Sequence, residues 1–370
     1  MKWTRFPDTL PTFVAEMDFP LDPEVSAALH EAIDRQLVGY LPEPTKNEMR
    51  QATSEWLERH YDWRIPPGQV FATADVLSAY EAILRTMIPA GTPIIVPTPA
   101  YMPFISLTPI LGYPVIEVPM VCSKEGRWSM DLETIGKELA QGAGLVVLCN
   151  PHNPLGLVCR EDELLALAEV VDRYGGLVFS DEIHAPLTLG QHQHIPYASL
   201  NETTAAHTLT SISASKAWNI PGLKCAQLIV SSEAHLPKVR AAEFAVSHGA
   251  ATVGVLATTA AYRSKSSWLE MARDYIEGSA GLVSEFAQES LPGSDVTPLE
   301  GTYIVWLDAR SLKRGSHRSP AHYFGEVAGV SVTDGALCGA VGEGHIRMTI
   351  ATPRPILREI LERLAKHWKV

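Results

Sequence analysis

Lys216 stands in the run SISASKAWNIPGLKC, residues 211–225, directly after an apolar, β-leaning segment from His207 to Ile212. Ser211, Ser213 and Ser215 surround it, and a second cation, Lys224, follows. An ammonium at the mouth of a buried strand is costly to desolvate, so such a lysine reaches solvent or gives up its proton. The neutral amine is a nucleophile that forms Schiff bases with carbonyls, that of pyridoxal phosphate (PLP) among them. The serine hydroxyls and Lys224 lie where a phosphate could be held. A plain surface loop is the competing reading of the same residues.

Other stretches bear on that choice. Ser180-Asp181-Glu182-Ile183-His184 ends an apolar run, and Asp181 there could cap a helix, bind a metal or face a ring nitrogen. A carboxylate beside a pyridine nitrogen keeps it protonated and lets the ring accept electrons. Asn150-Pro151-His152-Asn153-Pro154-Leu155-Gly156 follows another apolar run, and Asn153 could donate to a phenolate oxygen; as a turn it needs no function. Asp75 is a candidate N-cap, which leaves the Val76 and Leu77 amides free for phosphate. Tyr101, in Pro97-Thr98-Pro99-Ala100-Tyr101, could stack on a flat ring or simply be buried. Arg347 lies on an apolar strand; its planar fork suits a substrate carboxylate or an internal ion pair. His192 and His194 read as a solvated loop, without the spacing of a zinc site.

These residues need elements to hold them. Apolar runs at 69–73, 93–96, 115–118, 144–149, 176–180, 208–213 and 227–231 read as strands, with helices such as 76–87 and 160–174 between them. Continuous apolar strands alternating with helices predict an α/β fold with a mainly parallel sheet covered on both faces. Ligands gather at the carboxyl ends of such strands, where the polar residues above fall. Asp22 and Pro23 open a first helix with Val25, Ala28, Leu29, Ala32 and Ile33 inward, and Asn47 to His60 forms a second. After residue 245 the pattern changes to helices at 252–277 and 279–290, strands at 302–307, 330–333 and 345–351, and a last helix from Pro353. This is a smaller α+β unit.

Composition narrows the function. The 370 residues are 46% hydrophobic and 19% charged, enough for two domains and a large core. A net charge of −12 argues against nucleic acid and anionic membranes as partners. No apolar run has the length of a membrane span, and MKWTRFPDTL lacks the apolar core of a secretion signal. Five cysteines without CxxC spacing fit reduced thiols in the cytoplasm.

Taken in order, PTPAY, NPHNPLG, SDEIH, SxSK and the late arginine resemble the fold-type I PLP enzymes of the class I/II aminotransferase superfamily. Within it the chain is most similar to the MalY/PatB group of cystathionine β-lyases, through residues 11–19 (PTFVAEMDF), Gly39-Tyr40, SDEIHAPL, SKAWNIPGL and residues 302–308. Phe13 and Leu155 depart from that pattern near the expected substrate cleft. The resemblance implies a large PLP-binding domain at 39–245 with a seven-stranded sheet, and a small domain built from 1–38 and 246–370. It implies that Lys216 carries the cofactor and shuttles protons, that Asp181 meets the ring nitrogen, and that Asn153 and His184 lie near the ring oxygen. Tyr101 would stack on the ring. Val76, Leu77, Ser213, Ser215 and Lys224 would hold the phosphate, and Arg347 the α-carboxylate. Tyr40 would reach across a homodimer interface into a shared site, and no metal is expected. The implied activity is β-elimination from cystathionine or other cysteine S-conjugates, as in methionine synthesis. An aminotransferase is the first alternative, and a non-catalytic PLP-binding regulatory protein the second.

Overall fold

The structure, a computed structural model, describes every residue of the chain except Glu125. The seven apolar runs form one sheet from β1 (Val70–Thr73), β2 (Ile94–Thr98), β3 (Val115–Pro119), β4 (Leu145–Cys149), β5 (Leu177–Asp181), β6 (Thr208–Ile212) and β7 (Ala226–Val230). Their order is β1-β7-β6-β5-β4-β2-β3. Only β7 runs against its neighbours. Alternate residues within each continuous apolar run face opposite sides. Ile94, Val96, Leu145, Val147 and Phe179 pack with the helix Val76–Met87 on one face. Ile95, Val146, Leu148 and Val178 pack with the helices Leu132–Ala140 and Glu161–Tyr174 on the other.

A four-stranded antiparallel sheet forms the C-terminal unit, in the order Asp295–Val296, Ile304–Asp308, His345–Thr349, Thr333–Asp334. The expected strand at 330–333 is split. Val330–Ser331 pairs instead with Leu10–Pro11, which ties the N-terminal segment to this unit. The helices Trp268–Ser290 and Arg354–His367 pack on one another beside that sheet.

Several expectations are corrected. The second helix starts at Glu43, because Pro44 falls in its first turn, where a missing N–H breaks no helical bond. The break expected near residue 278 lies at 264–267, between Thr252–Arg263 and Trp268–Ser290. Ile33, read as inward-facing, is 61% exposed. Met102–Ile110 is a helix although it holds Pro103 and Pro109.

An aromatic cluster joins the two units behind the Lys216 segment. Trp218 stands edge-on to Trp56 and Tyr262, and Trp56 stacks on Tyr262 with centroids 5.4 Å apart. Tyr262 lies on the helix Thr252–Arg263, which passes so close to the segment before β7 that a side chain at Gly254 would overlap the Leu223 carbonyl oxygen. Gly254→Ala is therefore expected to lower stability by about 1–3 kcal/mol through overpacking, read from the urea midpoint. An unchanged midpoint would show that the helix can move aside.

Candidate active site

The carboxyl ends of β1, β2, β4, β5 and β6 open on a cavity of about 910 Å³, whose far wall comes from the C-terminal unit and the N-terminal segment. Lys216, Asp181, Asn153, Tyr101, His184 and Arg347 line it together.

Lys216 follows β6 in the short helix Ala214–Ala217. Its Nζ donates to the Ala15 carbonyl at 3.0 Å. Burial foremost, then the Arg347 charge, brings its pKa down to about 8. The amine is thus available as a nucleophile near neutral pH. Asp181, at the end of β5, caps no helix; its Oδ1 accepts the Ile183 N–H at 3.1 Å. Burial raises its pKa to about 7, and among the described residues it forms no ion pair.

Arg347 sits mid-strand, paired in register with Trp306 and Thr333. It is 3% exposed, yet it meets no carboxylate among the described residues. Its Nη1 donates to Asn153 Oδ1 at 3.1 Å and its Nη2 to the Phe13 carbonyl at 2.7 Å, while its Nε has no partner among the described residues. The internal ion pair is excluded, and the guanidinium is left facing an anion site. With its oxygen engaged by Arg347, Asn153 keeps its NH₂ group as a donor.

At the other end, Asp75 caps the helix Val76–Met87 by accepting the Ser78 N–H at 2.8 Å. Lys224 pairs with Asp75 at 2.9 Å, so a cation sits beside the opening amides of Val76 and Leu77. Ser215 lines the same end. Ser213 does not line the cavity; its hydroxyl donates to the Cys225 carbonyl at 2.7 Å and caps Ser215 N at 3.0 Å, so it shapes the loop. Tyr101 is held edge-on by Phe104, which packs on Tyr80 and Phe179. His184 is kept neutral by burial, its pKa lowered to about 3, and its Nδ1 is buried without a partner among the described residues.

Two residues lie elsewhere. Tyr40 is fully exposed and not part of the cavity within one chain. Leu155 is buried against Met120, Leu157 and Trp306, away from the cavity wall, whereas Phe13 lines it.

Sequence reasoning marked residues 11–19 and set Phe13 near the cleft, but it missed that the backbone of residues 13–17 is a strap that holds the site. Besides Arg347 and Lys216, Tyr303 Oη donates to the Ala15 carbonyl at 3.0 Å, and Thr333 Oγ1 to Phe13 at 2.8 Å. Asn219 binds both the N–H and the carbonyl of Met17, each at 2.9 Å. Backbone carbonyls leave no side-chain signature to find. His194 is also corrected: it is buried, with Nε2 2.9 Å from Glu182 Oε2, next to Asp181. Cys149 Sγ lies 4.0 Å from Asp181, and burial keeps this thiol protonated.

These residues fit PLP. An unpaired buried acid suits its ring nitrogen, a low-pKa amine its carbonyl, a cation at a helix N-terminus its phosphate, and unpartnered His184 and Arg347 atoms its remaining polar groups.

The Lys216 pKa has a consequence for stability. The unfolded amine titrates at 10.5 and the folded one at about 8. The penalty of burying the charge is complete below pH 8 and fades as pH rises to 10.5. Cofactor-free Lys216→Met is therefore expected to be more stable than the cofactor-free parent at pH 7, by roughly 1–3 kcal/mol, with the gap closing in alkali. Urea titrations at several pH values check this; a less stable variant at neutral pH would contradict it.

Comparison with known proteins shows which family the chain resembles. Residues 14–364 match the family described as aminotransferase class I and II. Cystathionine β-lyase of Corynebacterium glutamicum is 33% identical over 99% of this chain and 95% of its own length. Cystathionine β-lyase PatB of Bacillus subtilis is 28% identical over 96% and 92%. The solved structure of cystalysin from Treponema denticola, which contains PLP, superposes with a TM-score of 0.91 at 27% identity, covering 99% of this chain and 93% of that one. With residues 14–364 matched by that family, the chain belongs to the class I and II aminotransferase family.

Proposed function

We propose that this protein is a PLP-dependent carbon–sulfur β-lyase that cleaves cystathionine or related cysteine S-conjugates to a thiol, pyruvate and ammonia. Full-length identity of 33% to the C. glutamicum cystathionine β-lyase carries the lyase assignment. The site chemistry supports it. Bound PLP supplies an electron sink for the carbanion at the substrate α-carbon. Lys216 would hold the cofactor carbonyl until the substrate amine takes its place, and the freed Nζ, its pKa brought down to about 8, would be suited to take the α-proton. Arg347 would fix the α-carboxylate, since it has no acid of its own. Asp181 would hold a proton at the ring nitrogen, and Asn153 would donate to the ring oxygen. Val76, Leu77, Ser215 and Lys224 would bind the phosphate, with Ser213 shaping their loop.

With cystathionine the released thiol is homocysteine, which we assign to methionine synthesis in the cytoplasm. Five free cysteines support a reducing compartment. We further propose a homodimer in which Tyr40 enters the partner's site. Val38, Tyr40 and Phe244 are all strongly exposed. Glu243, beside Phe244, binds Lys46 and Arg50 on the helix Glu43–Tyr61 that follows Tyr40.

The decisive assay is pyruvate release from cystathionine with PLP and no keto-acid acceptor. Stoichiometric pyruvate and thiol over many turnovers are expected; transfer of the amino group only when a keto acid is added would make the protein an aminotransferase. Arg347→Ala is expected to raise KM by about 10–100-fold. Sedimentation should give a dimer that Phe244→Asp shifts toward monomer with loss of turnover, and a monomeric, fully active parent would refute the shared site.

A further inference from the structure

We propose that Arg5 and Arg318 form a second anion-binding position at the cavity mouth, selecting thioether amino acids whose departing half carries its own carboxylate. The inference rests on the lyase reading and names the class of substrate that the same site prefers.

Both arginines line the cavity that holds Lys216 and Arg347. The chain carries 42 acidic residues against 30 basic ones. Arg35, Arg64, Arg85 and Arg310 each find a carboxylate, while the exposed Arg160, Arg173 and Arg358 find none among the described residues, so what sets Arg5 and Arg318 apart is their place on the cavity. Among the described residues, the Arg5 and Arg318 side chains make neither an ion pair nor a hydrogen bond. Arg5 is held instead by stacking, with its guanidinium carbon 5.4 Å from the Phe6 ring and 5.8 Å from the Phe13 ring. Stacking orients the cation and leaves its N–H donors free for an anion.

Phe13 links this position to the inner one. Its carbonyl accepts from Arg347 Nη2 while its ring carries Arg5, so two guanidiniums are fixed at opposite ends of one residue. A substrate held by its α-carboxylate at Arg347 then extends its sulfur-linked half along Phe13 toward Arg5 and Arg318. Glu326, held by His317 at 3.4 Å and His322 at 3.2 Å, lines the same mouth and would accept a distal ammonium. A simple S-alkyl cysteine uses none of these groups.

The test compares L-cystathionine with S-methyl-L-cysteine on the PLP-loaded protein and on its Arg5→Gln and Arg318→Gln variants. The ratio of kcat/KM for cystathionine over S-methylcysteine is expected to fall about tenfold or more in each variant, mainly through KM. A ratio that stays within about twofold in both variants overturns the proposal. Should the parent release pyruvate from neither amino acid, the lyase reading fails, and equilibrium binding of the same two amino acids decides. A preference for cystathionine that Arg318→Gln abolishes supports the second position; equal binding by the parent overturns it.

Discussion

Lys216, Arg347 and Asp181 share one cavity without forming an ion pair among themselves. That imbalance is the constraint on which the rest of the site depends. Burial pulls the amine down to about 8 and pushes the acid up to about 7, so both stand near the point of changing charge. Each is kept in place by hydrogen bonds that leave its charge unmatched: Ala15 for the lysine, Phe13 and Asn153 for the arginine, and the Ile183 amide for the acid. A core built only for stability would pair these groups or replace them with apolar side chains. Here the missing partners define where a ring nitrogen, a carbonyl and a carboxylate belong.

The two sheets divide the work of holding that arrangement. The large sheet delivers side chains at its carboxyl edge, where each strand ends and the chain turns freely. Arg347 comes from the interior of the smaller sheet, locked between two neighbouring strands. The aromatic cluster of Trp56, Trp218 and Tyr262 then fixes the lysine segment against the helix beside it. Lys216, Asp181 and Arg347 thus sit on regular elements, whereas Asn153 and Lys224 lie in the connections between them.

Much of this was legible in the sequence, because each motif is a local event at the end of an apolar run. All seven strands were found within two residues of their observed ends, as was Asp75 as a cap. The misreadings have physical causes. The second helix, expected from Asn47, begins at Glu43, because the first turn of a helix tolerates Pro44. Ile33 fits an inward stripe but faces outward, because periodicity does not show how wide the covered face is. His194 looked solvated because its partner, Glu182, is twelve residues away and meets it only after folding. The strap at 13–17 acts through carbonyls that every residue possesses, and Arg5 acts through an aromatic platform that only the fold assembles.

That strap also orders events in time. Residues 10–17 pair with 219, 303, 330–331, 333, 347 and 349, so this segment leaves the ribosome long before its partners and is among the last to find its place. The sheet of residues 70–230 can assemble during synthesis, but the pocket has no wall until the C-terminal strands have been made. Such long-range closure is slow, and it leaves the apolar mouth and the unpaired charges open to water and to other chains meanwhile. Catalytic competence is thus acquired only after the strands that carry Tyr303 and Arg347 have been made.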